Sequence, residues 1–509
     1  MLARTNHNPD QASDAALHLG WPVVLAATSI GLIGRLWNLG AALFISDEPL
    51  FLSAARDELI SGRWVGASPL AGTHGVHYGP TVIWFYSCLQ WAFGYSPIVA
   101  LVAMCALTTV TQALLARAAT RVFGGGTPTF LLTFGLLLSS PYLYYWSRLA
   151  WDQSVLISVA AAVTILCQPA TLRPRHALAV GLLLGLAISS HLMVVPFALC
   201  VLGVLTWELR ADAARLTRIV GGLVLPALVV NIPYLWHIAT QQQSRVPAAP
   251  SPGSFLANLA ETPTVVTTFR FEMLIEPLWT QFVQQLGFLE PLLRVRPILL
   301  VVISVAAVFG LVISWSSDDP RQRRVARLGL TTWIASAGLF ALQGLNQEPH
   351  YQFATWWAVP VGLASALRLA HSRPPLFRTV IAGGSIVIAL QLSFVVAWHQ
   401  FQGGDSGTNG LHPPTSLAEQ IDVAHAICLT PQRWITVRNE TSVFSESVGY
   451  LVVTTEGCDD KRVEFCNPPN CPRDQPGRTQ LRLLYENDQG PGLKVVPFDP
   501  AVPSDKVTS

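Results

Sequence analysis

Two adjacent acids, Asp47 and Glu48, stand in the stretch FISDEPLFLSAARDELISG at residues 44–62, directly after the first long apolar run. A carboxylate at a lipid–water boundary is partly desolvated, which raises its basicity and suits it to take a proton from a hydroxyl or an amine. The same pair also fits a plainer role, since Ser-Asp-Glu-Pro resembles an N-cap followed by acids in a first helical turn. Asp152, in SRLAWDQS, lies four residues after Arg148. That spacing permits a salt bridge on one helical turn, and a charge at a membrane boundary also suits a second site carboxylate. The Gly-rich GTHGVHYGP carries His74, His77 and Tyr78. Two histidines three apart suit a metal ion. In a Gly-rich loop they read instead as solvated or hydrogen-bonding groups, with contact to a phosphate or a sugar as their site role. NQEPHYQF brings Glu348, His350 and Tyr351 together; the tyrosine is an interfacial anchor, or with His350 a partner for a lipid phosphate. Arg270, Arg294 and Arg296 are unranked candidates for neutralising a phosphate leaving group. Arg35, inside the first apolar run, reads as a snorkelling side chain that reaches the outer interface.

These residues need elements to hold them, and the composition says which. The 509 residues are 51% hydrophobic and only 12% charged, about half the charge of an ordinary soluble chain; the mean hydropathy is +0.43. Many runs approach or reach the roughly 20 apolar residues that a bilayer span requires, so the chain reads as a polytopic all-α membrane protein. The net charge of +2 gives no reason to expect a nucleic-acid partner. The polar N-terminal segment does not read as a cleavable signal, and the first apolar run is too long for one.

Lysine first occurs at Lys461, so arginine carries the topology signal. If Tyr78–Tyr95, short, aromatic and carrying Gly-Pro, lies in the interface rather than crossing, the spans are 21–43, 97–120, 128–144, 153–168, 177–190, 192–207, 219–236, 297–315, 328–344, 353–368 and 379–398. With the N-terminus inside, the inner segments then hold 15 Arg and the short outer ones three, Arg56, Arg63 and Arg148. The division is 1–20 as a cytoplasmic N-terminus, 21–398 as the membrane domain with outer loops 44–96 and 237–296, and 399–509 as an extracytoplasmic domain. Asp47, Glu48, Asp152 and the His350–Tyr351 loop all fall on the outer face.

Beyond the Gly/Pro/Ser linker that follows His399 come strand-like runs, RWITVRN and GYLVVTTEG, and four cysteines, Cys428, Cys458, Cys466 and Cys471. In a translocated segment they imply one or two disulfides in a small α+β or β domain, with a zinc site at CNPPNC as the alternative. Cys88, Cys105, Cys167 and Cys200 fall in apolar runs and read as core residues. Asn439-Glu440-Thr441 is a glycosylation sequon, a weak signal by itself.

The order of these parts resembles the polytopic glycosyltransferases of the GT-C fold, in the branch of the protein O-mannosyltransferases and the lipid A aminoarabinose transferase. The resemblance covers about residues 20–400. It rests on SDEPLFLSAARDELISGRW after the first span, HYGPTVIWFYSCLQWAFG, RVFGG, SRLAWDQS, GLLLGLAISSHLMVVPFALCVL and HYQFATWWAVPVGLASAL. It implies an enzyme of about eleven transmembrane helices in the bacterial cytoplasmic (inner) membrane. Such an enzyme moves a sugar from a polyprenyl-phosphate donor to a protein, glycolipid or cell-wall glycan acceptor, with inversion. On the resemblance, Asp47 would be the catalytic base or the acceptor-binding carboxylate, Asp152 the second site carboxylate, and His350 and Tyr351 would lie near the lipid phosphate. From the residues themselves, Glu48 is read as catalytic beside Asp47, and Arg148, His74, His77 and Tyr78 as substrate-binding. No cofactor and no metal site are expected. The chain departs from the pattern in having Phe51 where the family often has Tyr, no lysine in the first outer loop, no Asp-x-Asp in the second, and a cysteine-bearing tail. Two other classes fit the composition: a lipid or solute transporter, which predicts mid-span charges in paired halves that are scarce here, and a non-catalytic envelope-assembly protein.

Overall fold

A computed structural model describes residues 19–42, 44, 47–69, 77–169, 172–240, 255–256, 259, 290–342, 353–371, 373–402, 416–439, 445–455, 458, 461–466, 479–487 and 490–497. In chain order the helices are α1 Trp21–Leu36, α2 Asp47–Ser61, α3 Thr81–Phe93, α4 Pro97–Phe123, α5 Gly126–Ser139, α6 Pro141–Trp146, α7 Asp152–Leu166, α8 Pro174–Ser190, α9 Val195–Leu209, α10 Ala213–Thr240, α11 Glu290–Trp315, α12 Pro320–Leu342, α13 Ala358–His371, α14 Pro374–Gln402, α15 Leu417–Cys428 and α16 Ser445–Thr454. Four strands complete the chain: β1 Trp434–Asn439, β2 Arg462–Cys466, β3 Thr479–Asn487 and β4 Gly490–Pro497.

The sequence starts these helices in a consistent way. Proline stands in the first turn of α1, α4, α6, α8 and α9, where its missing N–H has no intrahelical acceptor to lose. Glycine ends α3 and α4 at Gly94 and Gly124, both at positive φ. Five spans among the described residues are long and apolar enough to cross a membrane: Pro97–Phe123, Leu192–Leu209, Ala213–Thr240, Pro320–Leu342 and Pro374–Ser393. Trp21–Leu36, Gly126–Ser139, Asp152–Leu166, Pro174–Ser190 and Val301–Trp315 are shorter apolar helices. The protein is a polytopic helical membrane protein with a small mixed sheet at its C-terminal end.

The helices pack through close polar contacts as well as apolar ones. Asn231 on α10 donates to the Gly185 carbonyl on α8 at 2.9 Å. Ser314 on α11 and Ser365 on α13 meet at 2.6 Å. On α12, Arg324 pairs with Glu208 at 2.6 Å and donates to the carbonyls of Cys167 and Pro169. The buried apolar residues fall into two clusters. One runs through the bundle. The other joins α2, α3 and the first half of α4 to α15, α16 and the sheet.

The 13-residue α3 is about 20 Å long, shorter than the roughly 30 Å hydrocarbon layer. It packs antiparallel along α2: Ser87 donates to the Ala55 carbonyl and to Glu58, and Gln90 to the Leu52 carbonyl. In the C-terminal domain the strand order is β2-β1-β3-β4, with β1 parallel to β2 and β3, and β4 antiparallel to β3. α15 starts at a reciprocal capping box between Ser416 and Glu419.

The structure corrects four sequence readings. The first span does not run helical to residue 43. α1 ends at Leu36, Asn38 takes a left-handed conformation at φ 48°, and a 3₁₀ turn covers Leu39–Ala41. Arg35 does not snorkel: it is fully buried, and donates to Thr109 Oγ1 at 3.2 Å and Gln112 Oε1 at 2.7 Å, because α4 places a polar stripe opposite it. The run GYLVVTTEG is not a strand; residues 449–454 belong to α16, whose Val448, Leu451 and Val452 are buried in the second cluster. Tertiary burial there overrides β-branched propensity. Among the cysteines read as core, Cys105 and Cys167 are buried, Cys200 is half-buried and Cys88 is exposed, since α3 turns that residue away from α2.

Candidate active site

The site begins where two helices start. Asp47 and Glu48 form the acidic first turn of α2, and Asp152 is the first residue of α7. Each carboxylate sits at the positive end of a helix dipole, which offsets part of its desolvation. Asp47 is half-buried; Glu48 and Asp152 are 2% and 4% exposed. The three belong to one electrostatic group. Asp47 acts on Asp152, and Asp152 and Glu48 both act on the Tyr86 phenol. Glu48 also acts on Tyr145. Tyr86 is buried and donates to the Trp151 carbonyl at 3.4 Å, next to Asp152. Aromatic rings pave the turn between α6 and α7, with Trp146 and Trp151 centroids 4.8 Å apart.

Arg148 has a different task from the one its spacing suggests. α7 begins only at Asp152, so the two residues share no helical turn, and no ion pair joins them among the described residues. The guanidinium instead donates to the carbonyls of Arg35, Trp37 and Asn38 at 2.6–2.8 Å and to the Tyr144 hydroxyl at 3.1 Å. It gathers the carbonyls at the C-terminal end of α1 and fixes the left-handed Asn38 turn, nine residues before Asp47.

A second group forms around the other half of the first loop. Tyr78 stacks on His191 at 4.4 Å, and His191 meets Phe353 edge-on at 5.2 Å. His77 Nδ1 lies 2.8 Å from the Ser68 carbonyl, and the His77 carbonyl accepts from Tyr234 at 2.7 Å. Beside them Gly79 lies so close to α8 that a Cβ would fall 2.6 Å from the Ser189 carbonyl oxygen. His77 and Tyr78 are thus brought to one patch. His191, buried at the break between α8 and the 3₁₀ turn Leu192–Val194, belongs to this patch through its ring contacts, and sequence reasoning passed over it. Its signal was a polar Ser-Ser-His triplet interrupting an apolar run. Next to this patch is a cavity of about 570 Å³ lined by Trp64, Trp84, Trp236 and His237.

His74, Glu348, His350, Tyr351 and Arg270 lie outside the described residues; Arg294 and Arg296 fall within α11. Among the described residues no cluster of three or more His, Cys, Asp or Glu could hold a metal. Outside the spans, burial pushes the Glu58 carboxyl above its ordinary value, against the hydrogen bonds from Ser87 and the Val65 backbone that pull it down. In the C-terminal domain Cys428 and Cys458 form a disulfide, and Cys466 is also disulfide-bonded.

No family model matches the chain, and no curated protein matches it. Solved structures do. ArnT from Cupriavidus metallidurans bound to undecaprenyl phosphate is similar over 91% of this chain and 93% of that one, at 16% identity and a TM-score of 0.49. The archaeal oligosaccharyltransferase AglB from Archaeoglobus fulgidus, in complex with an inhibitory peptide and a dolichol-phosphate, is similar over 88% of this chain and 64% of that one, at 11% identity and a TM-score of 0.49.

Proposed function

We propose that the protein is a GT-C-type membrane glycosyltransferase that moves a sugar from a polyprenyl-phosphate donor to an acceptor on the extracytoplasmic face of a bacterial inner membrane. The observation that carries this reading is the convergence of Asp47, Glu48 and Asp152 at the starts of two helices, beside buried tyrosines and at one end of an apolar bundle. Half-buried Asp47 is the accessible member. In the proposed reaction its carboxylate takes the acceptor's O–H proton while that oxygen bonds to the anomeric carbon. The bond from that carbon to the phosphate oxygen breaks, and the electron pair leaves with the polyprenyl phosphate. One base and one displacement give inversion. Buried Glu48 and Asp152 orient the acceptor and keep the field around Asp47 negative. Arg148 sets the approach of Asp47 by holding the Asn38 turn. Tyr78 and His77, with His350 and Tyr351 as expected from the sequence, would meet the phosphate.

The N-terminus inside and the C-terminal domain outside follow from the arginine distribution. The test is transfer from radiolabelled polyprenyl-phosphate sugars in membranes, with wild type and Asp47→Asn at equal abundance. Transfer by wild type that falls at least about a hundredfold in the variant supports the reading. Undiminished transfer by Asp47→Asn moves the base to Asp152, and no turnover of any donor by wild type overturns the reading.

A further inference from the structure

The C-terminal domain has no counterpart in the sequence resemblance, yet it reaches the helix that carries the acids. Leu417, the first residue of α15, donates its backbone N–H to the Ala42 carbonyl at 3.0 Å. Phe44, three residues before Asp47, packs against the Tyr450 ring of α16 with centroids 5.8 Å apart. Tyr450 is 2% exposed. Its hydroxyl donates to the Tyr95 carbonyl just past α3 and accepts from Gln90 Nε2 at 3.2 Å. That same Gln90 nitrogen donates to the Leu52 carbonyl of α2 at 2.9 Å. One buried phenol therefore closes a chain of hydrogen bonds from the C-terminal domain through α3 to the N-terminal half of α2. The Cys428–Cys458 disulfide ties the end of α15 to the segment after α16, so both contacts are carried by one cross-linked unit.

We infer that Tyr450 is a positioning residue for Asp47 and Glu48, and that the C-terminal domain is a fixed wall of the site rather than an appended module. The inference rests on the proposed reaction only for its catalytic consequence; the positioning itself is a property of the fold. An apolar contact alone would hold α2 loosely along its axis, because burial is non-directional. The phenol hydroxyl and the Gln90 amide add direction. They set how far α2 stands along α3, and so the spacing between Asp47 and Asp152.

The experiment uses the full chain in lipid nanodiscs and compares wild type with Tyr450→Phe, which removes one oxygen and keeps the ring. Amide hydrogen exchange is followed over residues 47–58 and, as an internal reference, over α11 and α13. The expected result is about tenfold faster exchange in α2, the effect of losing one net hydrogen bond, with the reference helices unchanged. Gln90→Leu also removes the direct bond to the Leu52 carbonyl, so Tyr450→Phe added to it should speed α2 no further, and additional acceleration in the double variant overturns the inference. Unchanged exchange in α2, or equal acceleration in every helix, overturns the inference.

If wild type transfers sugar, Tyr450→Phe should lower kcat and displace the rate–pH profile, with KM for the lipid donor unchanged. A fall in kcat with no displaced profile overturns the positioning role. If wild type transfers nothing, the proposed function fails while the exchange result still decides the positioning.

Discussion

Asp47 and Asp152 begin two helices more than a hundred residues apart in sequence, and the two carboxylates lie within each other's electrostatic reach. Groups that act as a unit lose most of their effect when any one is removed. Asp47→Asn and Asp152→Asn should therefore each reduce transfer by about two to four orders of magnitude. The double variant should fall little further. Parallel single-turnover assays on the three proteins check this, and multiplicative losses would show that the two act independently.

Arg148 should matter more for structure than for charge. Its guanidinium spans the carbonyls of Arg35, Trp37 and Asn38, a fork that a lysine ammonium cannot reproduce. Arg148→Lys keeps the charge but should destabilise the protein by about 2–3 kcal/mol. A thermal melt in detergent reads this, and an unchanged midpoint would mean that the Asn38 turn holds itself.

Gly79 fixes how closely the loop bearing His77 and Tyr78 sits on α8. In Gly79→Ala the added methyl meets the Ser189 backbone, so the loop must lift and Tyr78 must part from His191. An extrinsic quencher of tyrosine and tryptophan emission should gain access to this region. Unchanged quenching would show that the loop yields elsewhere.

Glu58 gives a pH dependence with a defined sign. Burial raises its folded-state pKa from the ordinary 4.5, so the folded protein holds a proton that the unfolded chain has released. Stability then falls as pH rises from that ordinary value through the raised one. Glu58→Gln should flatten this part of the melting-temperature profile. A profile that keeps its slope in the variant would assign the dependence to other groups.

The Cys428–Cys458 bridge closes a separation of 30 residues, worth about 3–4 kcal/mol in the chain-entropy account. Reduction, or paired Cys428→Ser and Cys458→Ser, should lower the melting temperature of the C-terminal domain and raise protease sensitivity around α16. Melts that match wild type would make the bridge dispensable.

Much of this was legible in the sequence because the governing signals are local. Apolar length marked the long bundle helices, and Gly-Pro with dense aromatics marked the short α3. The acids at 47, 48 and 152 were readable as a group only through the topology that put their segments on one face. What the sequence hid depends on partners far along the chain. Arg35 looks like a boundary charge until Thr109 and Gln112 are seen opposite. The spacing of Arg148 and Asp152 suggests a pair until α7 is seen to start at Asp152. Residues 449–454 have the composition of a strand, and only their burial against α2 and α15 explains a helix. His191 and Tyr450 stood in unremarkable local contexts and acquire meaning through rings and hydrogen bonds from elsewhere.

The joining of α2 to α15 and α16 in one apolar cluster has a consequence for biogenesis. A helix made early in synthesis finishes its packing only when a segment made several hundred residues later folds onto it and its thiols are oxidised. The acid-bearing end therefore matures last, after insertion of the whole bundle. A ribosome-bound chain that ends before α15 carries Asp47, Glu48 and Asp152 but lacks the segments that pack on α2, so the surroundings of these acids are completed by the last part of the chain to be made.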